Sequence, residues 1–302
     1  MRASSSQLGP LSRQNGIFFV LAAAMLWGTT GTAQAFAPLG YDPKVIGAMR
    51  LFVGGAALFA WSAWQQEFGR WRDWNWLVLG FAAFFTASYQ LCFFAAVATT
   101  GVAMGTVVAI GSAPVFGGLL GRIFRGEELS GRWWWATLLA VSGCSLLALA
   151  SAALKLNAWG VLLAIGAGAS YAGYTLFLKG LLAHHPPTAV MALVACGGAL
   201  LLSPALLKSD PAWLAQWRSV AVILHLGLVS MALSYFLFAR GLRLLPVSTA
   251  VTLTLAEPMT ATILGLAILG ERLNGQSLAG IVLVFAGLLV LIVRLPKRNE
   301  NL

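Results

Sequence analysis

Residues 113–131, APVFGGLLGRIFRGEELSG, return 144 positions later at 257–275 as EPMTATILGLAILGERLNG. Pro114 falls on Pro258, Gly121 on Gly265, Gly126-Glu127 on Gly270-Glu271, Leu129 on Leu273 and Gly131 on Gly275. The register extends outward and places Gly16 on Gly160, Pro43 on Pro187, Gly54 on Gly198 and Gly143 on Gly287. Around the pair Ser88-Tyr89 and Ser234-Tyr235 the offset is 146, and a two-residue indel in the following loop restores it. No helical or strand period forces glycines, prolines and a Gly-Glu pair into shared register, so the chain is read as an internal duplication.

Each copy is built from apolar runs. The chain has 302 residues, of which 59% are hydrophobic and 9% charged, with a mean hydropathy of +0.84. Such a chain cannot place its apolar surface inside one water-soluble core, and lipid is its expected solvent. Windows of about 19 or more apolar residues, enough to cross roughly 30 Å of hydrocarbon as helix, lie near Gly16–Ala37, Val45–Trp64, Trp74–Ala95, Val102–Ile123 and Trp133–Ala153. Five more lie near Trp159–Leu182, Thr188–Leu207, Trp217–Ala239, Val247–Leu269 and Gly275–Val293. Tryptophans gather at their ends, among them Trp61, Trp64, Trp74, Trp133, Trp159 and Trp217, where an amphipathic ring suits the headgroup level.

An odd number of spans per copy has a topological consequence. A five-helix unit begins on one side of the bilayer and ends on the other, so its second copy enters upside down. The expected fold is an all-α integral membrane protein, with ten transmembrane helices as two inverted five-helix repeats, 1–153 and 154–302, around a central cavity. Repeats of this kind commonly enclose a site near the midplane and alternate access by moving against each other.

The net charge of +10 follows the same topology. Thirteen lysines and arginines fall in the loops on the side of the termini: Arg2, Arg13, Arg70, Arg72, Arg122, Arg125, Arg132, Lys179, Arg240, Arg243, Arg294, Lys297 and Arg298. Five fall opposite, namely Lys44, Lys155, Lys208, Arg218 and Arg272, which places both termini in the cytoplasm. Basic residues that punctuate apolar runs do not form the patch or stripe of a nucleic-acid binder, so no nucleic-acid partner is expected. Cys92, Cys144 and Cys196 lie far apart within apolar runs, without the spacing of a metal or redox site.

Pro114 with Gly126-Glu127 and Gly143, repeated as Pro258, Gly270-Glu271 and Gly287, together with Trp27-Gly28 and Arg50, resembles the EamA-type ten-helix exporters of the drug/metabolite transporter superfamily. The resemblance covers nearly the whole chain and is greatest to the YddG-type amino acid exporters. It implies a multi-pass bacterial inner-membrane exporter of amino acids, aromatic ones included, or of related metabolites. It also implies a cavity lined by helices 1, 3, 4, 6, 8 and 9, with helices 5 and 10 peripheral.

Charge inside hydrocarbon costs at least about 2.5 kcal/mol, so ionisable residues within spans are the leading functional candidates. Arg50, His225 and Glu257 are three. Glu257 precedes Pro258, which removes a helical hydrogen bond and frees the carbonyl of Thr254, so a polar, kinked ninth span is expected. Two roles are open to Glu257: contact with a substrate ammonium or a proton, and a structural carboxylate paired to another span. Its counterpart is Ala113, so repeat geometry does not require the charge. Arg50 is expected as an ion-paired structural anchor, since the resemblance places the second helix outside the main cavity wall. His225, about two turns into its span, is expected in interfacial packing, with proton relay as the other reading.

Uncharged candidates for the substrate path are Trp27, Thr30 and Gln34, which share one face of the first span by their spacing. Trp27 has Tyr171 as its counterpart, with Tyr174 one turn on, and Tyr89-Gln90 matches the region of Ser234 and Tyr235. Matched aromatics from the two copies suit an amino-acid cavity, and packing is the alternative for each alone. Pro114 and Pro258 are candidate hinges, with static helix shaping as the alternative. Small-residue spacings such as Gly101 with Gly105, and Gly117 with Gly121, are expected to serve close helix packing.

The chain has no GxxxxGK[ST], HExxH or GxSxG motif, which leaves ATP hydrolysis and the familiar hydrolytic chemistries without a foothold. No cofactor or metal is expected, and no enzyme. The expectation is a monomeric secondary carrier for small molecules. A multidrug or quaternary-ammonium exporter and a metabolite importer are the alternatives, and a channel would differ by flux that does not saturate.

Overall fold

The computed structural model describes residues 10–38, 43–100, 102–149, 157–206, 216–270 and 274–293, and these residues form helices with no strand. Lipid offers the backbone no hydrogen-bond partner, so a spanning segment must satisfy its N–H and C=O groups internally, as a helix does. The first half contains α1 (Pro10–Ala35), α2 (Pro43–Trp64), α3 (Trp76–Thr100), α4 (Val102–Arg125) and α5 (Gly131–Leu149). The second contains α6 (Ala158–Leu181), α7 (Pro187–Leu206), α8 (Trp217–Leu224), a π-helical segment (His225–Leu233), α9 (Ser234–Leu244), α10 (Val247–Leu253), α11 (Ala256–Ile268) and α12 (Gly275–Ile292). Of the residues singled out by sequence, Gly101, Glu271 and Leu273 lie outside the described residues. So do Arg2, Lys155, Lys208, Arg272, Arg294, Lys297 and Arg298.

Eight spans among the described residues are long and apolar enough to cross a membrane. They comprise α1, α2, α3, α6, α7 and α12, the rod Trp217–Leu244 that joins α8 to α9 through the π segment, and the rod Val247–Ile268 that joins α10 to α11. Trp74, expected inside the third span, stands before α3 and donates its indole N–H to Phe68 O at 2.8 Å.

Helix ends carry the signals that start them. Pro43 and Pro187, in register, each occupy a first helical position, where the missing N–H is no loss. Ser130 and Asn274, also in register, cap α5 and α12: Trp133 N donates to Ser130 Oγ at 3.2 Å and Ser277 N to Asn274 Oδ1 at 2.7 Å.

Packing follows the duplication. The contact of α3 with α6 has its counterpart in α1 with α9, that of α4 with α6 in α1 with α11, and that of α3 with α7 in α2 with the π segment. Helices α2 and α7 pair with each other, as do α5 and α12. The last two run antiparallel, because Gly143 faces Gly280 and Val284 while Gly287 faces Ala136 and Ala140. A Cβ on Gly143 would lie 2.6 Å from Val284 N, and one on Gly287 2.7 Å from Ala136 O, so these glycines set the helix separation.

The face where α1 begins also carries the end of α4, the starts of α5 and α10, and the end of α12. Arg13 there donates to Leu291 O at 3.3 Å, and Arg132 Nε to Val290 O. Lys179 places its ammonium on Leu242 O at 2.7 Å and on Leu245 O, ending α9 with a cation on its last carbonyls.

Candidate functional site

Aromatic rings from both halves meet in the middle of the helix assembly. Trp27 of α1 packs edge-on against Tyr235 at a centroid distance of 4.9 Å and lies 5.3 Å from Phe238, both on α9. Tyr89 of α3 lies 5.8 Å from Tyr171 of α6, and Tyr171 lies 6.0 Å from Tyr174. Phe238, fully buried, stands 6.3 Å from Tyr171 and 6.4 Å from Tyr174, closing the group into one cluster. The matched aromatics are therefore neighbours in space.

Two charges enter this cluster from opposite halves. Arg50 of α2 approaches the hydroxyl of Tyr235, and its charge also acts on Glu257 of α11 and on Tyr89. No ion pair between Arg50 and Glu257 is formed, and Arg50 Nε has no hydrogen-bond partner. Arg50, Tyr89, Tyr171 and Glu257 each keep part of their surface accessible, whereas Trp27 is 5% exposed.

Buried polar atoms without a partner are rare in proteins and call for an explanation one by one. Among the described residues they are Trp27 Nε1, Arg50 Nε and Tyr171 Oη. All three belong to the cluster. Tyr171 Oη approaches Thr254, whose own proton goes to Val251 O at 2.7 Å. Tyr174 points its hydroxyl away, toward Met191 Sδ at 3.8 Å.

The ninth span is interrupted beside Glu257. Pro258 has no N–H for the carbonyl of Thr254, and Glu257 N takes that carbonyl instead at 2.9 Å, one residue early. The tightened turn separates α10 from α11 at Thr254 and Leu255. Pro114 lies inside α4 without ending it, so the two candidate hinges differ in this structure. Gly28 seats α11 against α1 at the same level: a Cβ there would stand 2.7 Å from Thr260 Cβ and 2.9 Å from Glu257 O.

Toward the other face, α1 and the π segment share polar contacts. Thr29 Oγ1 donates to Leu26 O at 2.7 Å, so His225 Nε2, 2.9 Å from Thr29 Oγ1, is the donor of that second bond. Thr30 Oγ1 and Ser230 Oγ lie 2.6 Å apart. Ser234 donates its hydroxyl to Ser230 O at 2.7 Å, one turn back along the same rod. Gln34 is half-buried one turn beyond Thr30. Gln90 does not join Tyr89: it lines a pocket of about 370 Å³ with Gly47, Phe94 and Leu202, between α2, α3 and α7.

On the face where α1 begins, the Gly-Glu pair acts across the halves. Gly126 takes a positive φ of 64° and ends α4, and Glu127 N returns to Gly121 O at 3.1 Å. The Glu127 side chain folds back over Gly121, where a Cβ would stand 2.5 Å from its carboxylate. The carboxylate then accepts from Val247 N at 2.6 Å, Ser248 N at 3.0 Å and Ser248 Oγ at 2.7 Å. One side chain of the first half thus caps the first turn of α10 in the second. Trp133 Nε1 adds bonds to Ser248 O at 3.2 Å and to Thr252 Oγ1 at 3.1 Å.

Sequence reasoning missed Phe238, Ser230 and the cross-half bond of Glu127. The repeated GxxxxGE spacing was the available signal for Glu127. For the other two no signal stood apart from ordinary packing.

Residues 14–149 and, separately, 158–293 match the EamA-like transporter family. The uncharacterized transporter YwfM of Bacillus subtilis (strain 168) is 45% identical over 283 residues, covering 94% of this chain and 95% of that protein. The threonine/homoserine exporter RhtA of Escherichia coli (strain K12) is 28% identical over 273 residues, covering 89% and 88%. A solved crystal structure at 20% identity superimposes with a TM-score of 0.78 over 92% of this chain and 96% of the other, a likeness of fold. These relatives bear the names of transporters and exporters, not of enzymes.

Proposed function

Because the chain belongs to the EamA-like transporter family, and is thus a membrane transporter rather than an enzyme, we propose that it exports amino acids and related metabolites across the bacterial inner membrane by alternating access. It does so as a ten-helix secondary carrier. In this reading α4 and α5 cross the membrane with the eight apolar spans, the repeats 1–153 and 154–302 are inverted, and the protein works as a monomer. The antiparallel course of the equivalent helices α5 and α12 supports the inversion. Nine arginines and lysines among the described residues on the face where α1 begins, Arg13, Arg70, Arg72, Arg122, Arg125, Arg132, Lys179, Arg240 and Arg243, support a cytoplasmic placing of that face.

The single observation that carries the substrate reading is the aromatic cluster assembled from both halves, with its unpartnered Trp27 Nε1, Arg50 Nε and Tyr171 Oη. Rings supply apolar walls, and a few convergent polar atoms fix orientation, which is how small-molecule sites are built. The name of RhtA, a threonine/homoserine exporter, points to the same class of cargo. The rings extend this to aromatic amino acids, as in YddG-type exporters. Glu257 faces the cargo here, and Pro258 and Pro114 bend the spans that enclose it.

A second reading follows from the same rings. Aromatic faces beside one carboxylate also suit a quaternary ammonium, through cation–π contact. Proteoliposomes with purified protein, loaded in turn with labelled threonine, phenylalanine and a cationic dye, decide between them, with and without a pH gradient. Saturable amino-acid flux that Glu257→Gln impairs supports amino-acid export. Dye flux with no amino-acid flux supports the second reading, and flux that does not saturate contradicts a carrier.

A further inference from the structure

The register of the duplication shows which polar residues the fold does not need. Glu257 of the second half stands where the first has Ala113, and Arg50 of the first half stands where the second has Val194. Ala113 and Val194 are both buried. Each half therefore supplies one charge, of opposite sign, at a place where its twin is apolar, and both charges border the same aromatic cluster.

A structural salt bridge would bring the two into contact, since a charge in hydrocarbon is stabilised by direct pairing. No ion pair joins them in this structure, and Arg50 Nε is unpartnered. Beside them lie two further unpartnered groups, Trp27 Nε1, which can only donate, and Tyr171 Oη, which can donate or accept. A planar guanidinium matches a carboxylate, and a carboxylate matches an ammonium.

We propose that Arg50 and Glu257 together recognise the zwitterion of a free α-amino acid, Arg50 taking its carboxylate and Glu257 its ammonium. This rests on the amino-acid reading above and adds what that reading lacks, the part of the cargo that is required. The side chain of the cargo then faces the rings of Tyr89, Tyr171 and Tyr235, whose apolar faces tolerate many side chains. Selection falls on the backbone of the cargo, and the breadth of the substrate range falls on its side chain. Since one charge comes from each half, a bound zwitterion ties the two repeats together.

The test uses the purified full chain in proteoliposomes with labelled threonine. Competitors are threonine, phenylalanine, threoninol, which lacks the carboxylate, and N-acetylthreonine, which lacks the ammonium. Threonine and phenylalanine are expected to compete, and the two blocked analogues to compete about 10- to 100-fold more weakly, the value of one charge-assisted contact. Arg50→Gln is expected to raise the threonine KM by a similar factor while removing the discrimination against threoninol alone. Glu257→Gln is expected to remove that against N-acetylthreonine alone, and Arg50→Lys to restore part of the threonine affinity. The wild-type competition series needs no variant to fold. Equal competition by both blocked analogues overturns the proposal while amino-acid transport stands, whereas absence of any amino-acid flux overturns both.

Discussion

Removing the Glu127 carboxylate is expected to release the contact between the two halves on the face where α1 begins. Glu127→Ala deletes the acceptor of three bonds, at 2.6, 3.0 and 2.7 Å, and leaves Val247 N–H and Ser248 N–H at the start of α10 without their partner. A hydrogen bond to a charged group is worth about 1.5–3 kcal/mol. Three such bonds do not add, because they share one carboxylate at a half-buried position that water reaches once the side chain is gone. A net loss of about 3 kcal/mol for this contact corresponds to roughly a hundredfold shift toward forms in which it is broken. Glu127→Gln keeps one acceptor oxygen and the shape, and should shift the balance by roughly tenfold.

The assay replaces Cys92, Cys144 and Cys196 by alanine and adds Ala250→Cys as a reporter, a fully buried position in α10. A membrane-impermeant maleimide applied to inside-out vesicles then reports opening. Alkylation should accelerate by about two orders of magnitude with Glu127→Ala and about one with Glu127→Gln. Wild-type alkylation rates in both variants, with folding intact, would show that the Glu127 carboxylate does not hold α10 against the first half.

Other outcomes follow from the same geometry. Gly28→Ala forces a Cβ to 2.9 Å from Glu257 O, a backbone atom that cannot yield, so it should lower the thermal midpoint in detergent and impair transport, at a cost of about 1–3 kcal/mol. Gly31→Ala, with nothing within 4 Å of its added Cβ, should leave the midpoint within the scatter of the measurement. Pro258→Ala restores a donor for Thr254 O and should join α10 to α11, slowing transport more than Pro114→Ala does; equal effects from both would count against a special role for the ninth span. His185, in the loop between α6 and α7, stacks on Trp74 at a centroid distance of 3.8 Å, and burial followed by the neighbouring His184 holds its pKa below the ordinary histidine value. A depressed folded-state value makes its contribution whole above about pH 6.5 and progressively lost as pH falls through the folded value. The difference in thermal midpoint between wild type and His185→Gln should therefore narrow from pH 7 to pH 5.

The sequence made the spans legible because hydrocarbon imposes length and apolarity on them, and the 144-residue register paired the aromatics that the structure brings together. It also gave the break near Thr254, since the missing N–H of Pro258 is a covalent fact. The π segment was not legible. Such a segment takes up inserted residues without ending a helix, and the second copy runs two residues ahead of the first at Ser234-Tyr235, but a helical hydropathy pattern hides the wide turn. Side-chain direction was the other gap. Gln90 adjoins Tyr89 in sequence yet turns toward α2 and α7, and Ser234 bonds backward along its own helix. The partners of Arg50 and Glu127 depended on which helix of the opposite half lay beside them, which neither periodicity nor composition specifies.

Cargo is proposed to bind within the aromatic cluster shared by the two halves. A structure determined at saturating amino acid tests it most directly. Density is expected against Trp27 and Tyr235, with the carboxylate of the cargo toward Arg50 and its ammonium toward Glu257. Density confined to the Gln90 pocket, or an unchanged cluster in a protein that transports the same amino acid, would contradict it.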